Sequence, residues 1–135
     1  MNEMFNNLGF IIGGLRHLTG KQAWECCQSG ALIVDVREDF ETALKGFGVK
    51  NVLWCPFDSF DAIFRTLPGD RPLIIADCVG LHSKEAALKL LENGYQEVAN
   101  LAGGIADWER DGLPMDTDVE CMSGQCPCTM RSKKK

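Results

Sequence analysis

The sequence predicts a single α/β domain with a mostly parallel sheet. Its 135 residues are the length of one domain, and 45% of them are hydrophobic, which is enough for a buried core. Two segments, residues 31–36 and 72–76, are apolar at nearly every position. Such runs are typical of parallel strands that are buried on both faces. Segments with helical patterning alternate with the strand segments, and this alternation indicates a parallel sheet.

The first half of the chain opens on an irregular, glycine-rich segment, residues 1–17, which we expect to be an N-terminal arm, either loose or forming an extra strand. Thr19 can cap the helix that follows, and Ser29 and Gly30 can end it. The expected elements are then a helix over residues 21–28, a strand over 31–36, a short helix over 39–44, a strand over 49–55 and a helix over 57–66.

The second half continues the alternation of strands and helices. Ser83 is the expected N-cap of an amphipathic helix, and Gly94 is the residue expected to end it. The expected elements are a strand over residues 72–76, a helix over 83–93, a strand over 97–101 and a helix over 105–110. Residues 115–135 carry three cysteines, little apolar material and a basic end, so we interpret them as a tail.

Charge and cysteine content narrow the functional classes. The formal net charge is −5 although the end of the tail is basic, so the body of the domain is acidic and nucleic acid is not an expected partner. No apolar stretch approaches the roughly 18 residues of a membrane span, so we expect a cytoplasmic protein without membrane contact. Seven cysteines, an odd number, fit no disulfide framework and indicate reduced thiols with redox, sulfur or metal chemistry.

The most informative stretch is residues 72–83, where a buried strand meets a helix through a short loop. Main-chain N–H groups in such a loop point at one spot beside the positive end of the helix dipole, and they stabilise an anion or a thiolate there. Asp77 and Cys78 both lie in this loop. Because ligands bind at the carboxyl ends of parallel strands, we expect Asp35 and Arg37 in the same neighbourhood.

Five segments carry a resemblance to a known family: residues 32–38, 72–83, 94–95, 100–108 and 112–114. In this order they resemble the rhodanese-like domain family, over roughly residues 18–114. The resemblance implies a sheet of about five mostly parallel strands with helices on both faces. It also implies a cysteine that carries a persulfide, taking sulfur from a small donor and passing it to a thiophilic acceptor such as a thiol protein.

The chain departs from the family pattern in the loop. The family's loop begins with cysteine, has glycine in fourth place, and a serine commonly follows. Anchoring the loop on Gly80 and Ser83 assigns Asp77, and not Cys78, to the position of the family's cysteine. Family members with an acid at this position resemble non-catalytic domains.

Two hypotheses follow from the loop. In one, Cys78 is the candidate catalytic residue and transfers sulfur, with His82 and Lys84 favouring its thiolate. In the other, the Asp77 carboxylate accepts the N–H bonds of the loop, and the domain is a non-catalytic module that binds a partner or a small anion. The expected anion-binding loop comprises Val79, Gly80, Leu81, His82 and Ser83.

Simpler interpretations suit several other residues. The resemblance implies that Asp35 and Arg37 are supporting residues, as an ion pair that ties loops together. His17 has no visible partner, and we expect it at the surface. Of two adjacent helical cysteines, one is expected in the core and the other partly exposed. These two cysteines are Cys26 and Cys27. Four other residues are expected to pack in the core: Cys55, Trp24, Trp54 and Trp108.

The tail contains the three cysteines that are hardest to explain by packing, Cys121, Cys126 and Cys128. They are candidate relay thiols for Cys78. A soft-metal site is the alternative, but the tail lacks a fourth ligand and the spacing of Cys126 and Cys128 is short for zinc. A tail without either role is the third possibility. No cofactor and no metal are predicted.

Overall fold

The computed structural model describes residues 5, 8–38, 45–49, 52–78 and 81–117. Outside these ranges lie the helix expected over residues 39–44, the loop residues Val79 and Gly80, and all three tail cysteines. The described elements are β1 (Phe10–Ile12), β2 (Leu15–Leu18), α1 (Gly20–Gln28), β3 (Leu32–Asp35), β4 (Lys45–Phe47), β5 (Val52–Trp54), α2 (Phe60–Ile63), β6 (Leu73–Ala76), α3 (Leu81–Glu92), β7 (Val98–Leu101), α4 (Gly104–Arg110) and β8 (Met115–Thr117).

The main sheet has the strand order β1-β2-β7-β6-β3-β5. Strands β2, β7, β6, β3 and β5 pair in parallel, and β1 pairs with β2 in the antiparallel sense. This confirms the predicted α/β domain with a mostly parallel sheet. A separate two-stranded sheet pairs β4 with β8.

Helices cover both faces of the sheet, as the resemblance implied. Alternate residues of each central strand face opposite layers, so Ile33 and Ile74 pack in one core cluster while Val34 and Ile75 pack in the other. The first cluster includes residues of α1 and α4, and the second includes residues of α2 and α3. All residues of β3, β6 and β7 are buried, which is why residues 31–36 and 72–76, the segments of β3 and β6, are apolar at nearly every position.

The hairpin of β1 and β2 adds two strands to one side of the sheet. Its turn contains Gly13 and Gly14 with φ of +62° and +83°, a backbone conformation that glycine adopts without strain. The hairpin lies mostly within the segment expected to be an N-terminal arm, so the sheet includes residues on both sides of the boundary drawn at residue 18.

The predicted N-cap is correct for α1 and wrong for α3. Thr19 caps α1 in a capping box with Gln22, as predicted for Thr19. The prediction that Ser83 is an N-cap is wrong, because α3 begins at Leu81 and Ser83 lies buried in its first turn. A carboxylate oxygen of Asp77 accepts the first-turn N–H of His82, a role that an N-cap side chain would otherwise have.

Two packing predictions and one helix prediction need correction. Cys26 and Cys27 are both buried, because the face that α1 turns toward the sheet is wide enough to include adjacent positions. Trp54 is 47% exposed, because β5 is an edge strand of the main sheet. Residues 57–66 form α2 between two short 3₁₀ turns, Phe57–Ser59 and Phe64–Thr66, and not one continuous helix. Within the described ranges, no helix combines the length and the apolar character needed to cross a bilayer.

Candidate functional site

The candidate site lies where β3 and β6 end side by side. Asp35 is in register with Ala76, and the Val36 N–H donates to the Ala76 carbonyl oxygen at 2.9 Å. Asp77 therefore follows directly on a strand whose neighbour ends in Asp35. The expectation that these residues share one edge of the sheet is met by this register.

Asp77 is a buried carboxylate at the start of α3, 6% exposed. One of its oxygens, Oδ2, accepts the main-chain N–H of His82 at 2.8 Å and that of Ser83 at 3.3 Å. These donors belong to the first turn of the helix, where main-chain N–H groups lack intrahelical partners and the helix dipole favours negative charge. The Asp77 carboxylate thus accepts N–H groups that the first turn of α3 leaves without intrahelical partners.

The main chain of the loop is held from the opposite side by α4. The N–H groups of Ile105 and Ala106 donate to the carbonyl oxygens of Asp77 and Cys78, at 2.9 and 3.1 Å. Gly104 lies against the same carbonyl groups, with a φ of +59°. The glycine pair of the sequence therefore permits a close approach of α4 that fixes the main chain around Asp77 and Cys78.

Cys78 differs from the other cysteines whose positions are described. Its side chain is partly exposed, whereas Cys26, Cys27 and Cys55 are buried. Burial raises the pKa of Cys27 to about 12 and that of Cys55 to about 11. Those thiols stay protonated at neutral pH and are poor nucleophiles, so Cys78 is the described thiol that a reagent or substrate can reach.

A buried chain of polar side chains extends from Asp77 toward the hairpin. The Ser83 hydroxyl donates to Asn100 Oδ1 at 2.5 Å and lies 3.5 Å from Asp77 Oδ1. Asn100 Nδ2 lies 3.1 Å from His17 Nδ1. The polar contacts therefore link α3, β7 and β2 in one continuous network.

The expectation that His17 lies at the surface is wrong, because His17 is only 6% exposed. β2 pairs with β7 so that His17 is in register with Asn100, and the Phe10 ring of β1 stacks on the imidazole with centroids 5.2 Å apart. Burial lowers the pKa of His17, the Lys84 charge lowers it further, and the Ile12 main chain partly offsets both effects.

Asp35 and Arg37 form a buried ion pair. Arg37 Nη2 donates to Asp35 Oδ2 at 2.8 Å, and Arg37 Nε donates to Asp35 Oδ1 at 3.0 Å. The guanidinium also lies over the Phe47 ring, 5.7 Å from its centroid, and the Trp54 indole donates to the Arg37 carbonyl oxygen. The expected ion pair is therefore present, and Arg37 also contacts Phe47 of β4 and Trp54 of β5.

The elements that border the site carry two exposed apolar side chains, Leu81 on α3 and Trp54 on β5, which together are called the rim. Leu81 is 65% exposed and Trp54 is 47% exposed. The exposed His82 ring stacks on Phe57 with centroids 4.5 Å apart and an interplanar angle of 4°. His82 contributes its main-chain N–H to Asp77, while its imidazole packs on Phe57.

The arrangement holds a fixed negative charge beside a partly exposed thiol. In the part of the chain that the structure describes, no cluster of three or more His, Cys, Asp or Glu side chains is placed to hold a metal ion. Sequence reasoning missed Asn100 and the burial of His17. A signal existed for Asn100, since it is a polar residue inside the otherwise apolar strand Val98–Leu101.

Comparisons with known proteins show the family and the fold. A family model described as rhodanese-like domain matches residues 19–111. The chain is 36% identical over 102 residues to the thiosulfate sulfurtransferase GlpE of Haemophilus influenzae (strain PittEE), which covers 76% of this chain and 95% of that protein. It is also 36% identical over 84 residues to a protein named sulfurtransferase from Allochromatium vinosum, covering 62% of this chain and 77% of that protein.

Solved structures share the fold. The crystal structure of a rhodanese-related protein from Thermoplasma volcanium has a TM-score of 0.69 at 23% identity, and the match covers 75% of this chain and 97% of that chain. A rhodanese-like domain protein from Staphylococcus aureus has a TM-score of 0.63 at 24% identity, covering 70% of this chain and 91% of that chain.

Proposed function

This chain belongs to the rhodanese-like domain family, and we propose that it is a binding or regulatory module of that family whose position 77 carries no sulfur. Its relatives are named as sulfurtransferases, so sulfur transfer is the activity found at the level of the family. The proposal concerns what this chain does with the same fold. It keeps the cytoplasmic location predicted from the sequence, where thiols remain reduced.

The observation that carries the proposal is the pair of hydrogen bonds from His82 N and Ser83 N to the Asp77 carboxylate. In the family pattern the first loop residue is the cysteine that holds the persulfide. A carboxylate accepts the same main-chain donors and is stabilised by the same helix dipole. A carboxylate has no sulfur that could form a persulfide, so Asp77 fills the loop but cannot transfer sulfur.

The accessible rim supports a protein as the partner. Leu81 in the first turn of α3 and Trp54 at the end of β5 expose large apolar side chains, while the Asp77 carboxylate is bonded within the domain. A small anion would meet the Asp77 carboxylate at the loop and be repelled by it. A protein surface can cover the apolar rim without entering the loop, and aromatic side chains such as Trp54 are common in such contacts.

The test is to replace Asp77 by cysteine and to measure sulfur transfer from thiosulfate to cyanide. The wild-type chain is expected to give no turnover, whereas Asp77→Cys is expected to form thiocyanate catalytically. Asp77→Ser is the matched control, because serine has the size of cysteine and no thiol. Each variant is also made in a Cys78→Ser background, so that any gain is assigned to position 77. Failure of Asp77→Cys to gain activity while it remains folded contradicts the proposal.

The second candidate function is sulfur transfer through Cys78 itself, favoured by the partial exposure of this thiol beside the loop. The Cys78 thiolate would attack the outer sulfur of thiosulfate, so that a new S–S bond forms, the S–S bond of thiosulfate breaks and sulfite leaves with the electron pair. A thiolate of the tail, Cys121, Cys126 or Cys128, would then take the outer sulfur and return Cys78 to its thiolate form.

Mass spectrometry distinguishes this candidate from the first. Treatment of the full chain with thiosulfate is expected, under the second candidate, to add the mass of one sulfur atom to the peptide that contains Cys78. The tail variant with all three cysteines replaced by serine should then accumulate the adduct, since it lacks the relay thiols. Wild-type turnover that disappears in Cys78→Ser would favour this candidate over the proposed module, and the absence of any adduct excludes it.

A further inference from the structure

Three side chains from three elements and one side chain of the loop form a buried polar chain. In order, they are Asp77, Ser83 on α3, Asn100 on β7 and His17 on β2, and each of them is at most 6% exposed. Buried polar groups of this kind are retained at a cost unless each finds a partner. The contacts between neighbours in the chain are 3.5, 2.5 and 3.1 Å long.

The orientation of the Asn100 amide sets the direction of the hydrogen bonds in this chain. The Ser83 hydroxyl has one proton, and it goes to Asn100 Oδ1 at 2.5 Å, not to Asp77 Oδ1 at 3.5 Å. The Asn100 amide then presents its nitrogen to His17 Nδ1. With the Asn100 amide in this orientation, its nitrogen donates to His17 Nδ1, and the proton of the neutral imidazole is then on Nε2, which is buried and has no hydrogen-bond partner among the described residues.

We propose that His17 is a positioning residue for Asp77, and that a proton on His17 Nδ1 reverses the whole chain. A protonated Nδ1 can only donate, so Asn100 must turn its oxygen toward His17 and its nitrogen toward Ser83. Ser83 then accepts from Asn100, and its hydroxyl proton becomes available to Asp77 Oδ1. The Asp77 carboxylate thereby gains the Ser83 hydroxyl in addition to the main-chain donors of His82 and Ser83.

The surroundings of His17 keep the neutral form dominant at neutral pH. His17 is two residues after Leu15 in β2, so both side chains point to the same face of the sheet, the face that α3 covers. The groups that act on it are the Phe10 ring and the Ile12 main chain from β1, Asn100 from β7 and the Lys84 charge from α3. Since burial and Lys84 lower the pKa of His17 below its ordinary value of 6.5, protonation requires acid pH or a charge at the loop that favours the reversed chain.

The protonation of His17 and the charge at position 77 affect each other. A carboxylate at position 77 attracts the Ser83 proton and so favours the state in which His17 is protonated. Removing that charge by Asp77→Asn should therefore lower the pKa of His17 further. The same dependence is expected for any anion held at the loop, including a thiolate in Asp77→Cys.

NMR of the full chain tests the proposal through a signal that a purely structural role would not change. At neutral pH, the ¹⁵N shift of His17 Nδ1 is expected to be that of an unprotonated ring nitrogen. As the pH falls, the ¹³Cγ shift of Asp77 should show an inflection at the pH where His17 titrates. The inflection should be lost in His17→Gln and retained in His82→Gln, which removes the other histidine of the chain.

Ser83→Ala separates the hydrogen-bond chain from a direct electrostatic effect. In this variant His17 still titrates, but the link to Asp77 is gone, so the inflection at Asp77 should disappear. Its survival in Ser83→Ala would overturn the proposal, because it would show that the charge of His17 acts through space. A proton on Nδ1 at neutral pH in the wild-type chain would also overturn it, as would a His17 that stays neutral until the chain unfolds. Neither of these two results depends on a variant that folds.

Discussion

Gly104 lies against the carbonyl group of Asp77, and a Cβ atom at position 104 would overlap that oxygen and the carbonyl of Cys78. The contact exists because the next two residues of α4 donate to the same carbonyl oxygens. The geometry of the loop therefore depends on a residue 27 positions further along the chain, as much as on the loop's own sequence. Gly104 also has a φ of +59°, which favours glycine independently of the overlap.

Gly104→Ala is expected to lower the free energy of unfolding by about 3 kcal/mol or more, because backbone strain adds to overlap with main-chain atoms that cannot move freely. Urea denaturation measures the change. Gly112→Ala is the matched control, since Gly112 has a φ of +75° but no atom within 4 Å of its added Cβ. That variant should cost about 1–2 kcal/mol. Equal losses in the two variants would contradict the importance of the contact with Asp77 and Cys78.

The buried pair of Asp35 and Arg37 predicts a large loss of stability when its charge balance is broken. Asp35→Asn leaves the buried guanidinium without the carboxylate charge that faces it, so we expect a loss of about 3–5 kcal/mol in the free energy of unfolding. Asp61→Asn breaks the Lys89–Asp61 pair, whose side chains are 38% and 80% exposed, and should cost less than about 1 kcal/mol. Losses of similar size in both variants would show that the Asp35–Arg37 pair is not a main link between the strands.

The fold and the edge that carries the site could be predicted because they depend on local patterns. Parallel strands that are buried on both faces are apolar at nearly every position, and this pattern makes β3 and β6 visible in the sequence. The loop position of Asp77 followed from residues within a few places of it. These features are encoded by neighbours in the chain, so a single sequence contains them.

The polar network was not predictable in the same way, because it depends on contacts between distant segments. His17 and Asn100 are 83 residues apart, and their contact exists only because β2 pairs with β7 in one register. A lone histidine before a helix gives no sign of that pairing. The sequence pattern predicts the start of α3 at residue 83, two residues late, for a related reason. The side chain that accepts the first N–H groups of the helix belongs to Asp77, which precedes the helix.

The buried thiol of Cys27 predicts a loss of stability in alkali. In the unfolded chain this thiol has a pKa near 9.0, whereas burial in the folded chain raises the pKa to about 12. Between these values the unfolded chain loses a proton that the folded chain keeps, so the free energy of unfolding falls as pH rises above 9, by at most about 1.4 kcal/mol per pH unit for one thiol.

Chemical denaturation of Cys27→Ala at several pH values checks this expectation. The variant is less stable at every pH because it loses packing, but its stability should fall less steeply above pH 9 than that of the wild-type chain. Cys55→Ala is the graded control, because the folded pKa of Cys55 rises only to about 11. It should flatten the curve over a narrower range. Curves for Cys27→Ala and the wild-type chain that run parallel from pH 8 to 11 would contradict the burial of this thiol.

The burial of His17 predicts a loss of stability at acid pH. Its pKa is lowered in the folded chain by burial and by Lys84, from an ordinary value of 6.5. As pH falls below 6.5 the unfolded chain takes up a proton before the folded chain does, so the free energy of unfolding should decrease, by at most about 1.4 kcal/mol per pH unit. His17→Gln should remove this part of the decrease between pH 7 and 5.5. His82→Gln should keep it, because His17 is still present, and a profile flattened by His82→Gln alone would assign the effect to the exposed histidine.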